Sequence, residues 1–166
     1  MTKQPDKTHK KSVLFVCMGN ICRSPTGEGV MKKLVDDEGL AETIEVDSAG
    51  TISYHAGELP DARMREHAAS RGYRLDSHAR QIRREDLERF DLIVAMDRDN
   101  LAGVHDLDPQ GHYEDKVRLL SDFLHGKWPK DVPDPYYGGA AGFEKVLDMI
   151  EAASTQILVD LRADAF

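Results

Sequence analysis

Four consecutive apolar residues, Val13-Leu14-Phe15-Val16, run straight into the polar, glycine-containing stretch Met18 to Ser24 and then Pro25. An unbroken apolar run of this length, ended by a loop, predicts a strand of a parallel sheet buried on both faces. Ser24-Pro25 predicts a helix N-cap followed by proline at the first helical position. Beyond it Val30, Met31, Leu34 and Val35 recur at helical spacing until Gly39, predicting a helix with one buried stripe and a glycine stop. Ile44 to Gly50 alternates apolar and polar residues before small ones, predicting a second strand that carries Ser48 near its carboxyl end. Thr51 to Pro60 has no period and predicts a loop, from which Tyr54 and His55 can reach a neighbouring site. Asp61 predicts the cap of another helix, with Met64, Ala68 and Ala69 inward and Gly72 closing it.

Leu75 to Arg84, polar with His78, Arg80, Arg83 and Arg84, fits no period, and a short helix is expected over Arg84 to Arg89. Asp91 to Asp97 is a compact apolar run between aspartates and predicts a central strand, followed by a short helix over Asp99 to Val104. Lys116 to Leu120 predicts a fourth strand. Gly126 to Gly139 holds Pro129, Pro133 and Pro135, predicting a long ordered loop of the kind that often carries function. The last helix is marked by Phe143, Val146, Leu147, Ile150, Ile157, Leu158 and Leu161 on one stripe.

Strand and helix alternate throughout, which predicts an α/β fold. The expected architecture is a single doubly wound domain, with a four-stranded parallel sheet and helices on both faces, of the Rossmann/flavodoxin-like kind. The first strand is expected at the centre. Right-handed crossovers place every loop that follows a strand on one edge, so Cys17, Ser48 and Asp97 converge there, where such sheets bind ligands. A helix starting at that edge turns its free N–H groups and positive dipole end toward the loop, which suits an anion.

Cys17 opens this loop and Arg23 closes it, with five residues between them. The thiolate is the nucleophilic form of cysteine, and a helix N-terminus and a nearby arginine each favour it. The N–H groups of Met18, Gly19, Asn20, Ile21, Cys22 and Arg23 can form a nest around three phosphate oxygens, while the Arg23 fork grips two. Gly19 is expected to let the backbone turn. Such a cradle supports in-line attack of Cys17 on phosphorus, a cysteinyl-phosphate, and its release by water. Taken singly, Cys22 reads as a packing residue, Arg23 as a surface charge and Ser24-Pro25 as a helix start. Their joint placement on strand, loop and helix carries the functional reading.

At 166 residues the chain has the length of one domain. The 22 Lys and Arg against 30 Asp and Glu give a net charge of -8, which argues against nucleic acid or an anionic membrane as the main partner. Residues 1–11, with Lys3, Lys7, Lys10 and Lys11 and no apolar run, are expected to be a flexible basic tail preceding a domain over 12–166, not a secretory signal. Cys17 and Cys22 are the only cysteines, so no disulfide framework is expected, which suits the cytoplasm. The histidines are scattered and neither cysteine has a zinc-like partner pair, so neither a metal nor a cofactor is expected.

The loop Cys17-Met18-Gly19-Asn20-Ile21-Cys22-Arg23-Ser24-Pro25 closely resembles the signature of the low-molecular-weight protein tyrosine phosphatases. The resemblance continues in order through Asp47-Ser48-Ala49-Gly50, His78-Ala79-Arg80-Gln81, Ala95-Met96-Asp97 and Asp134-Pro135-Tyr136-Tyr137. It implies Cys17 as nucleophile, Arg23 as phosphoryl binder and Asp134 as the acid that protonates the leaving phenolate and later activates water. From the residues alone Asp97 is a rival carboxylate; the resemblance selects Asp134. It also implies a supporting network of Asn20, Ser24, Ser48 and His78. The candidate substrate walls are Ile21, Tyr54, Tyr136 and Tyr137. Family members often carry tryptophan near Tyr54, whereas the one tryptophan here is Trp128. Related arginine phosphatases resemble this loop but carry threonine in place of Ile21, so isoleucine favours phosphotyrosine.

The partners implied are phosphotyrosine proteins as substrates and a tyrosine kinase acting on Tyr136 or Tyr137, with the enzyme itself a monomer. Two alternatives stand beside the phosphatase. An arsenate reductase of this fold passes oxidation to further cysteines, which this chain lacks, and a non-catalytic phosphopeptide-binding module would release no phosphate. Cys17 and Cys22 are close enough in sequence to be expected to form a reversible disulfide that guards the nucleophile.

Overall fold

The structure, a computed structural model, describes residues 10–165. Its elements are β1 (Lys11–Cys17), α1 (Arg23–Asp37), β2 (Ile44–Gly50), α2 (Ala62–Ser70), α3 (Arg84–Arg89), β3 (Leu92–Ala95), α4 (Arg98–His105), β4 (Val117–Leu119) and α5 (Ala140–Arg162), with short 3₁₀ turns in the later loops. The four strands are parallel in the order β2-β1-β3-β4, so β1 lies inside the sheet between β2 and β3. In that register Cys17 is opposite Gly50, and Val16 is opposite both Ala49 and Ala95.

The apolar run of β1 supplies two cores because successive side chains of a strand point to opposite faces. Val13, Phe15 and Cys17 join one cluster with residues of α1, α2 and α5, whereas Leu14 and Val16 join a second with residues of α3 and α4. The sheet is therefore covered on both sides. Phe15 and Phe143 are fully buried in the larger cluster and Phe90 in the smaller. Among the described residues no helix is long and apolar enough to cross a membrane.

The structure corrects several boundaries. Lys11 belongs to β1 rather than to a tail: its N–H donates to Thr43 and its Nζ to the Leu161 carbonyl. Met1 to His9 of the expected tail lie outside the described residues. Helix α1 begins at Arg23 with Cys22 in the N-cap position, so Ser24 is not the cap and its hydroxyl is available elsewhere. The turn in the loop is made by Asn20, whose φ of 58° is left-handed, and not by Gly19, whose φ is not positive. Asparagine tolerates that conformation better than most residues because its short side chain finds local hydrogen bonds. Trp128 lies in the long loop, donating to the His125 carbonyl beneath Lys145, away from Tyr54.

Asp61 caps α2 as expected, accepting from the N–H groups of Arg63 and Met64. Burial raises its carboxyl, but the Arg63 side chain and the two backbone N–H groups outweigh this and hold it below the usual carboxylate range. A depressed folded-state value contributes stability that is complete above the unfolded value near pH 4 and fades as pH falls through the folded value. Asp61→Ala is therefore expected to cost about 1 kcal/mol at pH 7, with the difference from wild type shrinking below about pH 4. Urea denaturation at both pH values measures it.

Candidate active site

The site begins where β1 ends. Cys17 is 3% exposed, and the five residues after it cross from the sheet edge to the start of α1. Several carbonyls here are engaged outward: those of Cys17 and Met18 accept from Thr51 and Ile52, that of Ile21 from Asp61, and that of Cys22 from Thr26. Among the described residues the N–H groups of Met18 to Cys22 have no acceptor. A loop with its donors free and several of its acceptors turned to outside partners, leading into a helix N-terminus, suits an oxyanion.

A polar network holds this shape. Asn20 Nδ2 donates to the Ser24 hydroxyl at 2.7 Å and to the Ser48 hydroxyl at 3.0 Å, and Asn20 Oδ1 accepts from the Arg80 N–H at 3.0 Å. Ser24 Oγ lies 2.9 Å from Cys17 Sγ. Ser48 donates to Glu28, a carboxylate only 4% exposed. The Arg80 side chain in turn bridges Asp47 and Asp86. His78 is a correction: it is exposed, and among the described residues it has no hydrogen bond to this network. The N–H of Arg80, two residues on, supplies the donor that Asn20 needs.

Arg23 is 3% exposed, and its Nη1 donates to Asp97 at 2.5 Å and to the Val132 carbonyl at 3.0 Å. Its Nη2 lies 3.8 Å from Asp134. Burial opposes its charge, but Cys17, Asp97 and Asp134 outweigh this and raise its pKa above the ordinary value. Asp97 is thereby occupied: it caps α4 through the Asn100 N–H and anchors the guanidinium. Asp134 sits on the other side, about one-third exposed, and caps a 3₁₀ turn by accepting from the Tyr136 N–H. The long loop that carries it is tied down by Arg23 and by the Val132 N–H, which donates to the Met96 carbonyl.

The mouth above Cys17 encloses about 280 Å³ between Met18, Ile21, Ile52, Tyr54, His55, Asp134, Tyr136 and Tyr137. Exposure grades outward, from Ile21 at 8% to Tyr54 at 83% and Tyr137 at 88%. The His55 ring stands edge-on to Tyr54 with centroids 4.8 Å apart and tilted to Tyr136 at 6.3 Å. Cys22 shares this lining, but burial first, then the charges of Asp61, Cys17 and Asp134, push its thiol well above the ordinary value. At neutral pH it is held as the thiol.

The sequence pattern did not single out Glu28 or Ile52, and it held Gly50 and Arg80 only within motifs, without a role for either. Glu28 lies on α1, whose first turns are buried all round and not along one stripe, and periodicity carries no signal for that. Gly50 is needed for close approach. A Cβ there would lie 2.6 Å from the Met18 carbonyl and 3.1 Å from the Asn20 nitrogen. Gly50→Ala is expected to lose about 1–3 kcal/mol by overpacking. By displacing the loop it should also lower kcat/KM at least about tenfold. Thermal denaturation and steady-state kinetics read the two effects separately.

The sequence profile of the family described as low molecular weight phosphotyrosine protein phosphatase matches residues 12–165. A putative low molecular weight protein-tyrosine-phosphatase of Synechocystis is 50% identical over 149 residues, covering 90% of this chain and 95% of its own. A low molecular weight protein-tyrosine-phosphatase of Streptomyces coelicolor is 47% identical, covering 90% and 93%. The crystal structure of a protein tyrosine phosphatase from Entamoeba histolytica superposes with a TM-score of 0.91 at 43% identity, covering 95% of this chain and all of that one. With the Cys17 loop at the head of a parallel sheet and these likenesses spanning nearly its whole length, the chain belongs to the low molecular weight phosphotyrosine protein phosphatase family.

Proposed function

We propose that this protein hydrolyses phosphotyrosine in proteins, and aryl phosphates generally, through a cysteinyl-phosphate on Cys17. The observation that carries the reading is one mouth that brings together Cys17, Arg23, Asp134 and an aromatic wall. The Cys17 sulfur attacks phosphorus as the P–O bond to the phenol breaks, and Asp134 gives its proton to the departing phenolate. The free N–H groups of the loop and the Arg23 guanidinium meet the charge on the equatorial oxygens. Water then attacks the cysteinyl-phosphate, Asp134 takes its proton, and the S–P bond breaks to return the thiolate and phosphate. Ile21 and His55 flank the ring, while Tyr54, Tyr136 and Tyr137 extend the wall toward solvent, where the substrate's own backbone continues.

Several further readings go with this one. Tyr137, at 88% exposed, is accessible to a tyrosine kinase, and phosphorylation there would place charge at the rim. Peroxide would convert the Cys17 thiolate to a sulfenic acid, and Cys22 would displace its hydroxyl as water to form a disulfide. The raised Cys22 thiol makes that closure slow. The enzyme is read as a monomer of the cytoplasm, the compartment that two reduced cysteines suit.

The deciding experiment mixes reduced enzyme with an aryl phosphate, quenches it in acid within the first turnovers, and maps the phosphate by mass spectrometry. Phosphate on Cys17 together with steady release of inorganic phosphate is the expected result. Saturable binding with neither would leave only a phosphate-binding module.

A further inference from the structure

Glu28 lies outside the mouth, and its two carboxylate oxygens have different partners. Oε1 accepts from the Ser48 hydroxyl at 2.6 Å, and Oε2 from Lys32 Nζ at 2.6 Å. Lys32, one helical turn further along α1, has a side chain 50% exposed. A cation that reaches solvent is thus joined to Cys17 by an unbroken chain of hydrogen bonds: Lys32 to Glu28, Ser48 to Glu28, Asn20 to Ser48, Asn20 to Ser24, and Ser24 to Cys17.

Counting donors gives each bond its direction. The Arg80 N–H donates to Asn20 Oδ1, which orients the amide and directs Nδ2 to both serines. Each hydroxyl then accepts from Asn20 and has one proton left to give. Ser48 gives its proton to Glu28. Ser24 gives its proton to the Cys17 sulfur, its remaining neighbour in the chain. A thiolate is a better acceptor for that proton than a thiol, so this direction favours the reactive form.

As a carboxylate Glu28 has only lone pairs to offer, so it accepts from both Ser48 and Lys32 and fixes the direction of both bonds. Lys32 supplies the charge opposite this buried carboxylate. Burial works against the charge on Lys32, but the hydrogen bond and charge of Glu28, with Asp47 on β2 and Asp76 adding to them, raise its pKa. It is therefore cationic through the neutral range. We propose that Lys32 is a positioning residue for the Cys17 nucleophile, acting through the Glu28 carboxylate and the Ser48, Asn20 and Ser24 side chains. The proposal rests on Cys17 being the nucleophile. The other charged or titratable groups facing the sulfur's mouth are Arg23 and Cys22, with Asp97 and Asp134 on Arg23, and His55, Tyr54, Tyr136 and Tyr137 across the mouth. All are retained in the variants that test it.

The test uses Lys32→Met, Lys32→Arg, Glu28→Gln and the double variant Lys32→Met/Glu28→Gln. Two readouts apply: kcat/KM on an aryl phosphate, and the rate of Cys17 alkylation by iodoacetamide at pH 5 and pH 7, with the site assigned by mass spectrometry. Lys32→Met is expected to lower kcat/KM about fivefold and to slow Cys17 alkylation by a similar factor. Lys32→Arg should restore both. In the Glu28→Gln background, Lys32→Met should change neither further, because its effect passes through that carboxylate. Additive losses, an unchanged alkylation profile in Lys32→Met, or no rescue by arginine would each overturn the proposal. Alkylation needs no turnover, so a chain that alkylates as expected yet releases no phosphate counts against the phosphatase reading and not against this relay.

Discussion

Cys17→Ser is expected to abolish phosphate release, with a loss on the order of 10⁴-fold or more. A serine hydroxyl in the same place stays protonated at neutral pH, and Ser24, whose proton is directed to the sulfur in wild type, cannot take a second one while it accepts from Asn20. The volume change is small and the position is buried, so the loop is expected to keep its form. The free N–H groups and Arg23 still offer a full set of donors to an oxyanion. Binding of a phosphotyrosine peptide is therefore expected to persist while turnover stops. Calorimetric titration with the peptide, alongside a phosphate-release assay, measures both. Activity within tenfold of wild type would show that another residue carries the nucleophile.

Asp134→Asn is expected to lower kcat on phenyl phosphate by about 10² to 10³, and to have much less effect on p-nitrophenyl phosphate. A nitrophenolate leaves without help, whereas an ordinary phenolate, like that of tyrosine, needs a proton as the P–O bond breaks. Asparagine keeps an oxygen that can accept from the Tyr136 N–H, so the 3₁₀ turn and the aromatic wall are expected to remain. Arg23 remains anchored by Asp97 and the Val132 carbonyl. This separates the acid role from a structural one, because a collapsed loop would depress both substrates alike. Equal losses on the two esters would transfer the acid role to another group. Asp97 is the poorer choice geometrically, since its two oxygens are already held by Arg23 and the Asn100 N–H.

These expectations rest on parts that were unequally visible in the chain. The strand, loop and helix around Cys17 were legible because an apolar run, a turn and a helix start are local signals, each spanning a few residues. The same holds for α3, predicted at the bounds the structure has, and for the Asp61 cap. Asp97 was legible as a carboxylate at a strand end but not in its role. Its partner Arg23 lies 74 residues away, and their contact exists only because β1 and β3 are neighbours. His78 was drawn into the network by its place in a recognisable motif, yet it is exposed, and the Arg80 N–H meets Asn20 instead.

The residues by themselves determined the α/β class, the order of strands and helices, the placement of a thiol and a guanidinium around one anion site, and the resemblance that named Asp134. Such features follow from period, spacing and turn chemistry, which act over short stretches of chain. Tertiary structure alone decided which carboxylate orients Arg23, that Gly50 clears space for the loop, and that Glu28 is buried against Ser48. It likewise set the run of hydrogen bonds from Lys32 to the sulfur. Those depend on which side chains are withdrawn from water together. Parallel pairing of distant strands sets that, and no local pattern encodes it.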